Sequence, residues 1–305
     1  MKNFYSNGKL LLTGEYLVLD GAKSLALPTK FGQDLTVNPI PEPQLVWGSF
    51  THTGACWFEA VFELPKLRLI QCSFDTDREG NSEMIAETLL EILQEAKRMN
   101  PSFLETQQGF LVKTTLNFPS SSTLINSIAS WAAVDAFQLL WNSFKGSGYD
   151  VACAQNNSPI LYQIQDQKPV VSPVEFNPSF KDKLFFVYLN QKQDSKEGIA
   201  TYKKTKVLGQ TTEGLTRISA LSEAFLKADS LEALNAIIVE HEKIVGAMIQ
   251  LKPVKEVLFP DYFGEIKSLG AWGGDFVLAT GNEDTPSYFE KKGYATVLRY
   301  HQIIL

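Results

Sequence analysis

The chain has 305 residues, 44% of them hydrophobic and 20% charged, enough apolar material for one large core or two ordinary ones. Two lobes are expected. A formal net charge of −6, with no clustered basic run, excludes a broad phosphate-backbone footprint, so nucleic acid is not an expected partner.

Short β-type runs open the chain: LLL before Gly14, EYLVL before the Asp20-Gly21 turn, DLTV around Leu35, LVWGSF from Leu45 and WFEAVFEL from Trp57. They predict a twisted sheet with hairpins. In EMIAETLLEILQEAKRM, Ile85, Leu89, Ile92 and Ala96 share one helical face, and Asn100-Pro101 stops the helix. A second helix is expected after the serines at 120–122, with Ile125, Ile128, Ala132, Ala136 and Leu139 at helical spacing and few charges, hence buried on most sides.

After the GSGYD turn, ILYQI and LFFVYL read as core strands, and Asp194 with Glu197 has capping-box spacing. LTRISALSEAFLKA and LEALNAIIVEHEKIVGAMIQL are two helical patterns, separated where Asp229 and Glu232 again have that spacing. A glycine-rich turn, SLGAWGGDFVLAT over 268–280, then feeds a buried strand. Polar and proline residues gather over 176–181, which places the expected boundary between domains 1–176 and 177–305.

Cys56, Cys72 and Cys153 form no CxxC pair, so neither a disulfide framework nor a zinc knuckle is expected. No stretch reaches the roughly 18 apolar residues of a membrane span, and MKNFYSNGK has no signal-peptide core. A soluble cytoplasmic protein without a membrane partner is expected.

Four segments can carry chemistry. Lys9 sits ahead of an apolar strand that leads to Gly14, Glu15 and Tyr16; its ammonium can offset phosphate charge, or it can be a surface lysine before hairpin glycines. Ser120, Ser121, Ser122 and Thr123 open an apolar helix, where free N–H groups and hydroxyls can bind phosphate or magnesium, or where one serine simply caps. Asp150 follows a flexible turn and can act as a general base or cap a helix. Gly270, Ala271, Trp272, Gly273 and Gly274 let backbone approach a ligand closely or form a tight turn.

Together and in this order the segments resemble the GHMP kinases. Gly8, Lys9, Gly14, Glu15 and Tyr16 match the first motif; Ser120, Ser121, Ser122 and Thr123 match part of the phosphate loop. Ser147, Gly148 and Asp150 match the catalytic-aspartate segment, and residues 270–274 match the third motif. GSGYDVACA is similar to the signature of the GYDIA branch, which resembles mevalonate-pathway kinases, and Tyr16 looks more like phosphomevalonate kinase than mevalonate kinase.

The resemblance implies a two-lobed α/β (α+β) fold, with an N-terminal domain like domain 2 of ribosomal protein S5 and a ferredoxin-like C-terminal domain. It also implies ATP and Mg2+, a small-molecule acceptor, Asp150 as base or orienter and Lys9 as its electrostatic partner. The serines and Thr123 would contact phosphate or metal, while Glu15, Tyr16 and the 270–274 loop would shape the acceptor side.

Asn117, Phe118 and Pro119 stand where the family has Gly-Leu-Gly. That departure has two readings: a degenerate phosphate site on a non-catalytic binding protein, or a chain written without several residues between Pro119 and Ser120, which the matching flanks favour. For an acidic magnesium ligand the stretch before Asp150 offers only Asp135, otherwise an exposed helix residue. Lys23, Lys30, Lys192 and Lys196 are candidate ligands for a phosphorylated acceptor, otherwise surface lysines. His241, on the apolar face beside Ile238 and Val245, is expected to be a partnered core histidine, and Trp272 either lines the substrate site or packs under its turn.

Overall fold

The computed structural model describes residues 1–74, 82–116, 121–144, 146–191, 195–205, 208–270, 272 and 274–305. Contacts divide the chain into two compact units: Met1–Gly8 with Phe31–Gln155, and Lys9–Lys30 with Asn156–Leu305. Strands β1 (Lys2–Leu11) and β2 (Ser24–Ile40) contribute residues to both. The architecture is mixed α/β.

In the first unit, alternating apolar residues make strands with one buried face. On β4 (Cys56–Glu63), Phe58, Ala60 and Phe62 are buried while Glu59 between them is exposed. This strand pairs antiparallel with β3 (Gln44–Thr51) and β5 (Arg68–Phe74). β3 runs parallel to β6 (Gly109–Leu116), which is antiparallel to β2 in a register from Gln33↔Leu116 to Ile40↔Gly109. The strand order is thus β5-β4-β3-β6-β2.

Helix α1 (Ser82–Met99) packs Ala86, Leu89, Ile92, Leu93 and Ala96 into the same core as Leu35, Val37, Trp47 and Phe62. Lys97 and Arg98 lie in its last turn, where they complement the helix dipole. The single helix expected from 121 to 139 is two helices, α2 (Ser121–Ala132) and α3 (Ala136–Ser143). Ala133 takes a left-handed φ of 54°, and the Asp135 carboxylate accepts from the Gln138 N–H, starting a new helix where the first ended. Apolar residues recur across the break, so periodicity hides it. A third short helix, α4 (Tyr149–Gln155), carries Asp150 in its first turn.

The second unit begins with an unexpected element. EYLVL, read as a strand, is a turn followed by a 3-10 helix, Leu17–Asp20. Gly14 at φ 88° and Tyr16 at φ 61° reverse the chain, and Leu17 and Val18 N–H groups bond back to the Glu15 and Gly14 carbonyls at 2.7 and 2.9 Å. Strands β7 (Ile160–Gln165) and β8 (Lys168–Pro173) form a hairpin across Asp166 and Gln167, both with positive φ, as a two-residue turn requires. β7 also pairs with the start of β2, Leu25 opposite Leu161.

Strand β9 (Leu184–Tyr188) is followed by helices α5 (Ser195–Thr205), α6 (Leu208–Lys227), α7 (Leu231–Ile249) and α8 (Val254–Leu258). After these come β10 (Ile266–Leu269), β11 (Phe276–Thr280), α9 (Thr285–Lys291), β12 (Val297–Arg299) and α10 (Tyr300–Ile303). The sheet β10-β11-β9-β12 is antiparallel throughout. One core packs Phe185, Val187, Ile266 and Val277 against Phe259 and Phe289; another packs Tyr16, Leu17, Ile218, Val245 and Trp272.

Ser230, rather than Asp229, caps α7: its hydroxyl accepts from the Ala233 N–H. The shorter serine side chain stands one residue nearer the helix. Asp194 lies outside the described residues, as does the side chain of Glu197. Among the described residues no helix is long and apolar enough to cross a membrane.

Candidate active site

The first unit brings Ser122 and Asp150 together. Ser122 is buried in the first turn of α2, and its hydroxyl donates to Asp150 Oδ2. Asp150 Oδ1 accepts from the Val151 N–H at 3.1 Å. The Thr123 hydroxyl, also buried, donates to Gln33 Oε1 at 2.6 Å, and Gln33 in turn donates to the Thr114 hydroxyl at 2.7 Å. Thr123 is thereby fastened to the sheet.

Farther along α2, Asn126 donates to the Ser6 hydroxyl at 2.9 Å, Ser6 and Ser127 share a hydrogen bond of 2.8 Å, and Gln155 donates to Asn126 Oδ1 at 2.9 Å. A polar face of α2 is therefore fully engaged inside the protein, which fixes the rotation of the helix that presents Ser122. The result is a carboxylate with a hydroxyl already on it, an arrangement able to accept or orient a proton. Ser120 and the side chain of Ser121 lie outside the described residues. Asp135, the candidate acidic ligand, is the α3 cap. Among the described residues no group of three or more His, Cys, Asp and Glu side chains could hold a metal.

Lys9, half-buried on β1, belongs to the second unit, as do Glu15, Tyr16 and the 270–274 loop. Glu15 is completely buried and receives a 2.5 Å hydrogen bond from Lys267 Nζ. Lys267, itself fully buried on β10, also donates to the Ser268 carbonyl at 2.9 Å and to Glu242 Oε1 at 3.4 Å. The Ser268 hydroxyl donates to Glu242 Oε2 at 3.0 Å. A lone lysine inside the apolar strand IKSL was the signal for this cluster, and sequence reading passed over it along with Glu242.

Gly14 permits the cluster. Its φ of 88° favours glycine, and a Cβ there would stand 2.0 Å from Ser24 Oγ. The Gly14 N–H donates to His241 Nε2 at 3.0 Å, so the neutral imidazole carries its proton on Nδ1; His241 is a core histidine partnered through Nε2, while among the described residues nothing partners the buried Nδ1. Its Nε2 also lies 3.4 Å from Glu15 Oε2, but this is no ion pair: burial, then Lys267, hold the His241 pKa well below 6.5. Two carboxylates, one ammonium and a neutral imidazole would leave a buried net negative charge. Accordingly burial raises Glu15 to about 7 against the opposing pull of Lys267, and burial raises Glu242 as well.

Tyr16 and Trp272 are both buried, and the Trp272 N–H donates to the Tyr16 hydroxyl at 3.0 Å. The Trp272 indole N–H donates to the Lys252 carbonyl at 3.0 Å, and its ring lies in the apolar cluster with Tyr16, Leu17 and Val245. Gly270 takes φ 73° and Gly274 is buried; Ala271 and Gly273 lie outside the described residues. Of the four candidate lysines, Lys23 is paired with Glu223 and Lys30 donates to the His301 carbonyl at 2.6 Å. Lys192 and the side chain of Lys196 lie outside the described residues.

No protein-family model matches the chain, and no curated protein matches it in sequence. Solved structures do match. Mevalonate kinase of Methanococcus jannaschii superposes with TM-score 0.68 at 13% identity, over 97% of this chain and 96% of that one. L. major mevalonate kinase in complex with R-mevalonate gives 0.66 at 15% identity, over 100% and 96%. Streptococcus pneumoniae phosphomevalonate kinase in complex with phosphomevalonate and AMPPNP gives 0.65 at 14% identity, over 98% and 100%. The chain has the fold of these kinases, matched over 97–100% of its residues at 13–15% identity.

Proposed function

We propose that the chain is an ATP-dependent small-molecule kinase transferring the γ-phosphoryl group to an alcohol or phosphate oxygen, with mevalonate or phosphomevalonate as acceptor. The observation that carries this reading is the Ser122–Asp150 hydrogen bond: the serine of the phosphate-loop match and the aspartate of the catalytic match are partners. The likeness to a mevalonate kinase solved with R-mevalonate and a phosphomevalonate kinase solved with phosphomevalonate and AMPPNP supports the acceptor class and the nucleotide.

Phosphoryl transfer asks the protein chiefly to position reactants and stabilise charge. Asp150 accepts or orients the acceptor's hydroxyl proton, and Lys9 supplies a compensating cation. Ser120, Ser121 and Ser122 provide hydroxyl and helix N–H donors toward the nucleotide phosphates, and Thr123, its hydroxyl held by Gln33, contributes its backbone N–H. A magnesium ion fits the hard hydroxyl oxygen of Ser122, with Ser121 as the other proposed ligand, because such an ion keeps waters and phosphate oxygens as its remaining ligands. When bound it would neutralise phosphate charge. Glu15, Tyr16 and the 270–274 loop form the acceptor side.

The test is ADP release with mevalonate, phosphomevalonate, homoserine and several sugars, each with ATP and magnesium. Turnover with mevalonate or phosphomevalonate and not with the others supports the reading; turnover with homoserine or a sugar alone overturns the acceptor, and none with any acceptor removes the reading. A second reading is favoured by Asn117, Phe118 and Pro119 in place of phosphate-wrapping glycines: a non-catalytic binding protein of this fold. Nucleotide titration separates the two, since the kinase requires MgATP affinity.

A further inference from the structure

Tyr16 has the backbone of a residue held in place. Its φ of 61° is costly for a side chain with a Cβ, on the order of 1–3 kcal/mol, and persists only where surroundings dictate it. Its ring stacks on Tyr202 with centroids 6.0 Å apart and planes 25° from parallel, and the Tyr202 hydroxyl donates to Asp20 Oδ2 at 2.6 Å. A Cβ at position 198 would stand 2.5 Å from the Tyr16 hydroxyl oxygen, so Gly198 on α5 leaves the room that oxygen occupies. There it accepts the Trp272 N–H at 3.0 Å. One residue earlier, Glu15 is bonded to Lys267, three residues before Gly270. Two adjacent residues thus hold both the strand entering the 270–274 loop and the loop itself.

We infer that Tyr16 is a positioning residue: its hydroxyl serves the Trp272 backbone rather than the acceptor, and holds Trp272 in place on the acceptor side. The word acceptor here rests on the kinase reading; the tie itself does not. With Tyr16 and Trp272 buried in one apolar cluster, the hydrogen bond is shielded from water and sets the loop's position along the helices below it. The Glu15–Lys267 bond is a second tie of the same loop.

The experiment is hydrogen–deuterium exchange on the full chain, comparing wild type with Tyr16→Phe, which keeps the stacked ring and deletes only the acceptor oxygen. The Trp272 amide should exchange about tenfold faster or more in the variant, as loss of one sheltered hydrogen bond implies. Gly198→Ala, which forces the hydroxyl aside while leaving Tyr16 in the chain, should raise exchange at the same amide. Unchanged exchange in both variants overturns the inference.

Kinetics then distinguish positioning from contact. With an acceptor identified by ADP release, Gly198→Ala and Tyr16→Phe should raise the acceptor KM together and leave the ATP KM unchanged. A defect in Tyr16→Phe alone means that the hydroxyl touches the acceptor, and overturns the positioning role. If wild type turns over no acceptor, the kinase reading fails while exchange at Trp272 still decides the tie.

Discussion

The Ser122 hydroxyl donates to Asp150 Oδ2, so the carboxylate of the GSGYD turn is partnered within its own unit by the first turn of α2. Asp150→Asn keeps the shape and loses the ability to take a proton. We expect kcat to fall by roughly 10²–10⁴, the usual contribution of a general base, with nucleotide affinity retained. ADP release and nucleotide titration on the same preparation check this; undiminished turnover would refute the assignment of Asp150.

Lys267 is completely buried between Glu15 and Glu242. Lys267→Met leaves both carboxyl groups without their cation and should cost about 3–5 kcal/mol in urea unfolding, the range for breaking a buried pair. Adding Glu15→Gln to it removes one stranded carboxylate and should recover part of that loss. A single-variant cost below about 1 kcal/mol would mean that Lys267 does not hold the two carboxyl groups as described.

Within the same cluster Glu15 gives the stability a pH dependence whose sign follows from the direction of its shift. Burial raises Glu15 from 4.5 to about 7, so between those values the folded chain holds a proton that the unfolded chain has released. Its contribution is fully present below 4.5 and lost as pH rises through about 7, on the order of 3 kcal/mol at about 1.4 kcal/mol per unit. Glu242, also raised, acts in the same direction. His241 is depressed and acts oppositely, since the unfolded chain binds the extra proton and stability rises toward pH 6.5. Glu15→Gln removes only the first of these. The unfolding free energy of wild type minus that of the variant should therefore fall from about pH 5 to about pH 8, and a flat difference would contradict the assignment.

Elements whose signal is local were legible in the sequence. The alternation Phe58, Ala60, Phe62 and the helical stripe Leu89, Ile92, Ala96 each appear as read, because burial acts on residues a fixed period apart. Where a single backbone angle decides the outcome, the pattern was silent. EYLVL is a short aromatic and aliphatic run of the kind strands use, yet φ values at Gly14 and Tyr16 fold it into a turn and a 3-10 helix. Ala133 divides an unbroken apolar period into α2 and α3 in the same way. Of the site, motif order pointed to Ser122, Asp150, Glu15 and Tyr16. Lys267 was marked only by its place in an apolar strand, and its partner Glu15 lies far away along the chain; Glu242, on a helix, looks like a surface charge until its neighbours are known.

Asp135 tests whether a carboxylate ahead of the GSGYD turn serves metal or helix. Its Oδ1 accepts from the Gln138 N–H at 2.7 Å, and its own backbone is extended, as an N-cap requires. Removing that acceptor leaves one of the first N–H groups of α3 unpaired. Asp135→Ala should therefore cost about 1 kcal/mol in unfolding, while Asp135→Asn, which still offers an oxygen, should cost much less. A magnesium ligand would behave otherwise. Asparagine would weaken it nearly as much as alanine, and the magnesium concentration giving half-maximal turnover would rise in both variants. The expected result is a stability difference between the two substitutions and an unshifted magnesium dependence in both; a shift in that dependence would move Asp135 from the α3 cap to the metal.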